Sequence, residues 1–221
     1  MSLIASDSGG GKTFKPVPVG MHLARCYRVI DLGTQQTEWQ GQTKHLHKIM
    51  VTFEVHGEDE AGNSLVIDTG EPMSISKQYT LSLSDKAKLR ADLASWRGRD
   101  FTQDELRGFE LKNILGQWAM ITTTKTERDG KEYTNIANIN PVPKVIKDNG
   151  MPAGVNKAVL FSISDADMEI FDTLSENLKK KIMASPEWES YHGKPKQPTA
   201  SDYSRASGKG AFSALDDDIP F

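Results

Sequence analysis

Apolar and polar residues alternate along 45–55 (HLHKIMVTFEV), with Ile49, Val51, Phe53 and Val55 on one face and Lys48, Met50, Thr52 and Glu54 on the other. A period of two over that length predicts a strand with one buried face. A longer β-rich run covers 20–32 and ends at Gly33, and a third strand is expected over about 73–83, after the turn-rich stretch GEDEAGNS. The period then changes. Leu89, Leu93 and Trp96 recur at helical spacing before Gly98, with Ser84 as the expected N-cap. A short second helix should open at Thr102, where Thr102-Gln103-Asp104-Glu105 has the form of a capping box. Strands over 117–126 and 132–139 follow, joined by the turn Arg128-Asp129-Gly130-Lys131.

Three strands, a helix and a two-stranded hairpin in about 130 residues is the connectivity of a five-stranded OB-fold barrel. The expected class is therefore mainly β, with a helical insert between strands 3 and 4. Beyond Pro141-Val142-Pro143 the chain turns linker-like over 147–163. A C-terminal helical extension is expected over 164–191, with Ser164 as its cap and Asp167 as the capping-box acid. Met168, Phe171, Leu174, Leu178 and Ile182 form one apolar stripe, and Lys179, Lys180 and Lys181 fall in the last turns. The stripe either packs on the barrel or mediates self-association.

Both ends differ in texture from 14–146. The first 13 residues are small, polar and Gly-rich, and 192–215 is poor in apolar residues, so an N-terminal arm and a C-terminal tail are expected to be disordered. That tail segment carries a local +3, then ends abruptly in Asp216-Asp217-Asp218-Ile219-Pro220-Phe221. A carboxylate run followed by a rigid proline and a terminal aromatic makes a compact docking peptide. Phe221 can fill a pocket, its α-carboxylate can accept from an arginine, and the aspartates can lie along a basic ridge.

Composition narrows the functional class. The 221 residues carry 27 Lys+Arg against 30 Asp+Glu, a net charge of -3, which excludes a uniformly basic coat. The barrel segment 14–146 is balanced, with 17 of each sign, so binding to a polyanion there must come from segregated charge and stacking. One cysteine, Cys26, excludes a disulfide framework, and it is expected to pack in the core. No apolar run approaches a membrane span, and no membrane partner is expected. Gly11-Lys12-Thr13 is not a P-loop: the motif's first glycine would fall at Ser6, and Pro16 and Pro18 stand where a helix should begin. The His45-x-His47 spacing has no second ligand pair to support a metal. Neither catalytic residues nor cofactors are expected.

The last six residues resemble the C-terminal tip of bacterial single-stranded DNA-binding proteins at every position. A second set of residues resembles an uncharacterised family of bacteriophage and prophage proteins associated with replication and recombination. It comprises Ile30-Asp31-Leu32-Gly33-Thr34-Gln35, Tyr79-Thr80-Leu81-Ser82-Leu83, Lys86, Leu89, Trp96-Arg97-Gly98-Arg99 and Phe101. These resemblances imply an OB-fold protein that binds and protects single-stranded DNA in the cytoplasm of a phage-infected or lysogenic bacterial host. The tip would recruit host or phage replication, recombination and repair proteins through Asp216, Asp217, Asp218, Ile219, Pro220 and Phe221. The alternative is a protein-interaction module whose tip mimics that of the host to compete for its partners.

Binding a single strand without sequence preference needs cations for phosphates and aromatic faces for bases. The candidates are Lys48 on the expected outer face of strand 2, Lys77 and Tyr79 in the polar-interleaved strand 3, and Arg25 and Tyr27 on one face of strand 1, with Arg28 on the other. Trp39 and Lys44 fall in the loop between strands 1 and 2, and Lys125, Arg128, Lys131 and Tyr133 in the last hairpin. Those two connections flank the cleft of an OB fold. Core packing competes with stacking for Tyr27 and Tyr79, and Trp118 is expected in the core. Trp96 is expected to pack, and Arg97 and Arg99 either to touch phosphate or to form a solvated helix end.

Overall fold

The structure, a computed structural model, describes residues 16–39, 41–128 and 130–193. The arm 1–13, most of the tail 192–221 and the six-residue tip lie outside the described residues. Among the described residues six strands form one sheet: β1 (Gly20–Trp39), β2 (Gln42–His56), β3 (Ser74–Thr80), β4 (Trp118–Arg128), β5 (Lys131–Asn140) and β6 (Val159–Phe161). Their order is β3-β2-β1-β4-β5, all antiparallel, with β6 parallel to β1. The helices are α1 (Lys88–Arg97), α2 (Gln103–Arg107), α3 (Lys144–Asp148), α4 (Met168–Thr173), α5 (Glu176–Met183) and α6 (Pro186–His192). The chain is thus mainly β, with helices between β3 and β4 and after β5.

Strand β1 is longer than its hydrophobic pattern suggests. It pairs with β4 through Arg25, with β6 over Arg28–Ile30, and with β2 along most of its length. The expected loop between strands 1 and 2 is instead a polar two-stranded ribbon, with Thr37 opposite Lys44 and Trp39 opposite Gln42. Main-chain pairing extends it without an apolar face, so alternation could not reveal it. At the helical insert, Leu89, Leu93 and Trp96 are buried against the sheet, and Gly98 closes α1 at φ +70. The N-cap position of α1 is Ala87 rather than Ser84. At α2 the Thr102 hydroxyl accepts from the Glu105 N–H and the Glu105 carboxylate accepts from the Thr102 N–H, a complete capping box.

Two apolar cores flank the sheet. The first gathers Cys26, Val29, Ile49, Val51, Phe53, Val55, Ile121, Ile139 and the α1 residues. The second lies on the other face, where Ile30, Leu32 and Met50 meet Phe161, Phe171, Leu174, Ile182 and Trp188. The C-terminal extension therefore packs on the sheet. It is three short helices rather than one, capped at Asp167 instead of Ser164, and Met168 is exposed. Residues 147–163, expected as a linker, contribute β6 and cap Glu54 with the N–H groups of Val155 and Asn156. Over Ile49–Val55, β2 is buried on both faces rather than one.

The segment Ile30-Asp31-Leu32-Gly33-Thr34-Gln35 is the dock for this extension. A bulge between Asp31 and Gly33 turns the strand, with Gly33 at φ +66. Thr34 donates from its N–H and hydroxyl to Glu187 of α6, and Gln35 donates to the Lys181 carbonyl. A Cβ on Gly33 would stand 2.5 Å from that of Ser185, so only glycine admits α6 here.

Candidate nucleic-acid interface

The register of the sheet sorts the candidates. A bulge at Tyr27 leaves Cys26 opposite Phe53 and Arg28 opposite Thr52. The extra residue resets the alternation, so Arg28 shares the face of Arg25 and Glu54, contrary to the expectation from strict alternation. Positions on the face away from the first core form rows across the strands, Trp118–Arg25–Glu54–Ser74 and Arg28–Thr52–Ser76, with Glu54 and Thr52 themselves buried. Trp118 is consequently not core. It is half-buried on this face, with its ring edge-on to His56 at 4.9 Å.

Several expected contacts are committed internally. Arg25 donates to Glu54 at 3.0 Å and to the Asn156 carbonyl at 3.1 Å, beneath the chain segment at Gly154. Lys77 and Tyr79 lie opposite Val51 and Ile49 and turn inward, because odd positions of β3 face the first core. Lys77 pairs with buried Asp92 at 2.7 Å and donates to the Ala137 carbonyl at 3.5 Å; the Tyr79 hydroxyl donates to Asp92 at 2.9 Å. Burial pushes the Tyr79 hydroxyl pKa up, and the Asp92 charge adds to it. Neither side chain is presented to a ligand on the outer face.

The remaining candidates stay on or near the surface. Lys48 is half-buried and donates to Thr80 Oγ1 at 3.1 Å. Tyr27 is half-buried, its hydroxyl 3.2 Å from Ser74 Oγ, with the Arg28 guanidinium 5.5 Å from its ring. In the last hairpin, Arg128 faces Lys131 and Thr126 faces Tyr133, which puts Arg128, Lys131 and Tyr133 on one side. Lys125 takes the other and pairs with Glu132 at 2.9 Å. Tyr133 is 48% exposed and lines a cavity with Ser74, Ile75 and Val17, so Tyr27 and Tyr133 converge on Ser74. Lys44 is exposed on the polar ribbon; the Trp39 side chain lies outside the described residues.

Two features escaped the sequence pattern. Arg28 carries a buried Nε without a hydrogen-bond partner among the described residues and joins the face of Arg25 only through the bulge. Around the C-terminal end of α1, Arg97 packs over Phe101 and Phe109 at 4.5 and 5.2 Å and pairs with Glu105, so it is not simply a solvated helix end. Arg99 holds the same carboxylate with two hydrogen bonds of 2.9 and 2.8 Å, and Arg99 with the Thr102 N–H and Arg97 holds the Glu105 pKa at about 2.

Among the described residues no group of three or more His, Cys, Asp and Glu side chains is placed to hold a metal. His47 lies 2.7 Å from Asp31 and 3.6 Å from Glu187, between the sheet and α6. The Cys26 thiol is buried, which pushes its pKa up to about 12, far from nucleophile chemistry. No helix among the described residues is long and apolar enough to cross a membrane. No family model matches the chain, and no curated protein sequence matches it.

Proposed function

We propose that this chain is an OB-fold single-stranded DNA-binding protein of a phage or prophage, acting in replication and recombination without catalysing a reaction. Supporting the barrel are the order of elements, the pairing of β1 with both β2 and β4, and α1 seated between β3 and β4 in sequence. The Lys77 to Ala137 hydrogen bond draws β3 toward β5, as barrel closure requires. One juxtaposition carries the DNA reading. Half-buried Tyr27 and Arg28, with Ser74 and the exposed Ser76 of β3, lie beside a hairpin presenting Tyr133, Arg128 and Lys131, and Lys48 sits farther along β2. Phosphates and unstacked bases need these two chemistries side by side. The tip Asp216–Phe221 would recruit replication and repair proteins, and the cytoplasm of the bacterial host would be the site of action.

The withdrawal of Arg25 and Lys77 into internal ion pairs favours a second reading, an interaction module whose tip competes for host DNA-processing partners. A gel shift with single-stranded against duplex DNA at two salt concentrations separates them. Single-strand binding that weakens with salt supports the first; no single-strand binding at low salt leaves the second.

A further inference from the structure

We propose that the cavity at the C-terminal end of α1 is a nucleotide subsite that takes one phosphate and one base of a bound single strand. It rests on the DNA-binding reading and adds a site away from the β2–β3 face. The cavity is about 450 Å³ in volume and is lined by Arg97, Arg99, Lys147, Phe109, Trp118 and Asn113, with Glu105 beside the arginines. Three cations against one carboxylate leave a local +2 in a barrel segment that is neutral as a whole.

The cations are prearranged. Arg97 packs over the rings of Phe101 and Phe109, and its Nη1 is buried without a hydrogen-bond partner among the described residues. Arg99 is braced by Glu105 yet keeps a side chain 56% exposed, and Lys147 is exposed on α3 with no ion pair among the described residues. Phe109 and Trp118 supply the aromatic lining, and Asn113 offers the paired donor and acceptor that a base edge matches. Trp118 also belongs to the outer row with Arg25 and Glu54, so the cavity joins the sheet face at that residue. A purely apolar ligand would leave the buried Arg97 Nη1 without an acceptor, and inorganic phosphate alone would leave the aromatic lining unused.

The test uses the full chain and a fluorescently labelled thymidine oligonucleotide. Arg99→Ala with Lys147→Ala should weaken binding about tenfold and lower the salt slope by about 0.7, the value for one phosphate no longer neutralised. Lys147→Glu, on an exposed short helix, gives a second variant whose thermal melt should stay unchanged while affinity falls. Oligonucleotide should quench tryptophan emission, and Trp118→Phe should remove part of that quenching. Intact-chain binding that both variants leave unaltered overturns the subsite and spares the single-strand reading. An intact chain that binds no oligonucleotide removes that reading and the subsite with it. A peptide of the last six residues that quenches Trp118 where the oligonucleotide does not reassigns the cavity to protein docking and also overturns the proposal.

Discussion

Arg25 and Glu54 stand opposite each other on β1 and β2 and close an ion pair of 3.0 Å around a carboxylate that has no solvent exposure. Asn156 adds its N–H and side-chain amide to that carboxylate, each at 2.7 Å, and the Val155 N–H adds a third donor at 3.1 Å. The pair thereby ties the segment after β5 to the centre of the sheet. It also explains why an arginine well placed for DNA in the sequence is spent on stability.

Glu54 should make the fold acid-sensitive. Burial alone would raise its pKa, but the hydrogen bonds from Asn156 and Arg25, with the His56 ring 3.3 Å away, outweigh it and hold the carboxyl at about 2, below the ordinary 4.5. A depressed folded-state pKa contributes stability that is fully present above about pH 4.5 and is lost as pH falls from 4.5 toward 2. Urea melts across that window should show the decline in the native chain and a flatter profile in Glu54→Gln. Glu54→Ala should cost about 3–5 kcal/mol at neutral pH, since it strands a mostly buried guanidinium. A cost near zero would mean that solvent reaches this pair.

Gly33→Ala tests the dock of the C-terminal helices. The residue sits at φ +66, where an L side chain costs roughly 1–2 kcal/mol, and the new Cβ would meet Ser185 at 2.5 Å. We expect a lower melting temperature and faster amide exchange across α6, with β4 and β5 protected as before. Glu187→Ala should give the same exchange pattern more mildly, because Thr34 then has no carboxylate to bond in α6. Protection of α6 that survives both changes would contradict the docking geometry.

What the sequence revealed, and what it hid, follows from local and non-local causes. The alternation of 45–55 and the α1 spacing of Leu89, Leu93 and Trp96 are local signals of burial, and they place those elements correctly. The bulge at Tyr27 is set by pairing with β2, so nothing in RCYRV announces that Arg28 changes face. Likewise, the second face of β2 is buried by residues more than 100 positions away, which turns Met50 from a surface residue into core. For Lys77 and Tyr79 the alternation of MSISKQYT was legible, but which face met Asp92 was not.

Lys77 and Lys48 should therefore respond oppositely to alanine. Lys77→Ala leaves Asp92 with Tyr79 and the exposed Lys88 as partners and loosens the approach of β3 to β5, so the melting temperature should fall. Lys48→Ala with Lys131→Ala should leave the melt nearly unchanged and weaken single-strand binding, with a shallower salt slope. Fluorescence anisotropy and differential scanning calorimetry on the same samples separate the two effects. Equal loss of DNA affinity from Lys77→Ala without a stability change would return that lysine to the interface.

Deleting Asp216 to Phe221 tests the tip, which lies outside the described residues. The segment follows a Gly-, Ser- and Pro-rich stretch whose composition gives little to a packed core, so the melting temperature should not move. Binding to host proteins that recognise such a tip should be abolished, because the terminal ring and its α-carboxylate act as one anchor. One extra residue after Phe221 should do nearly as much damage, since it displaces the carboxylate from its cationic partner. DNA affinity should stay level or rise modestly on deletion, as three aspartates near a cationic surface compete with phosphate. A pull-down with the intact, deleted and extended chains, run beside titrations at two salt concentrations, reads all three effects. Partner capture that persists in the deleted chain removes the docking role, and a large loss of DNA binding would instead place the tip within the DNA site.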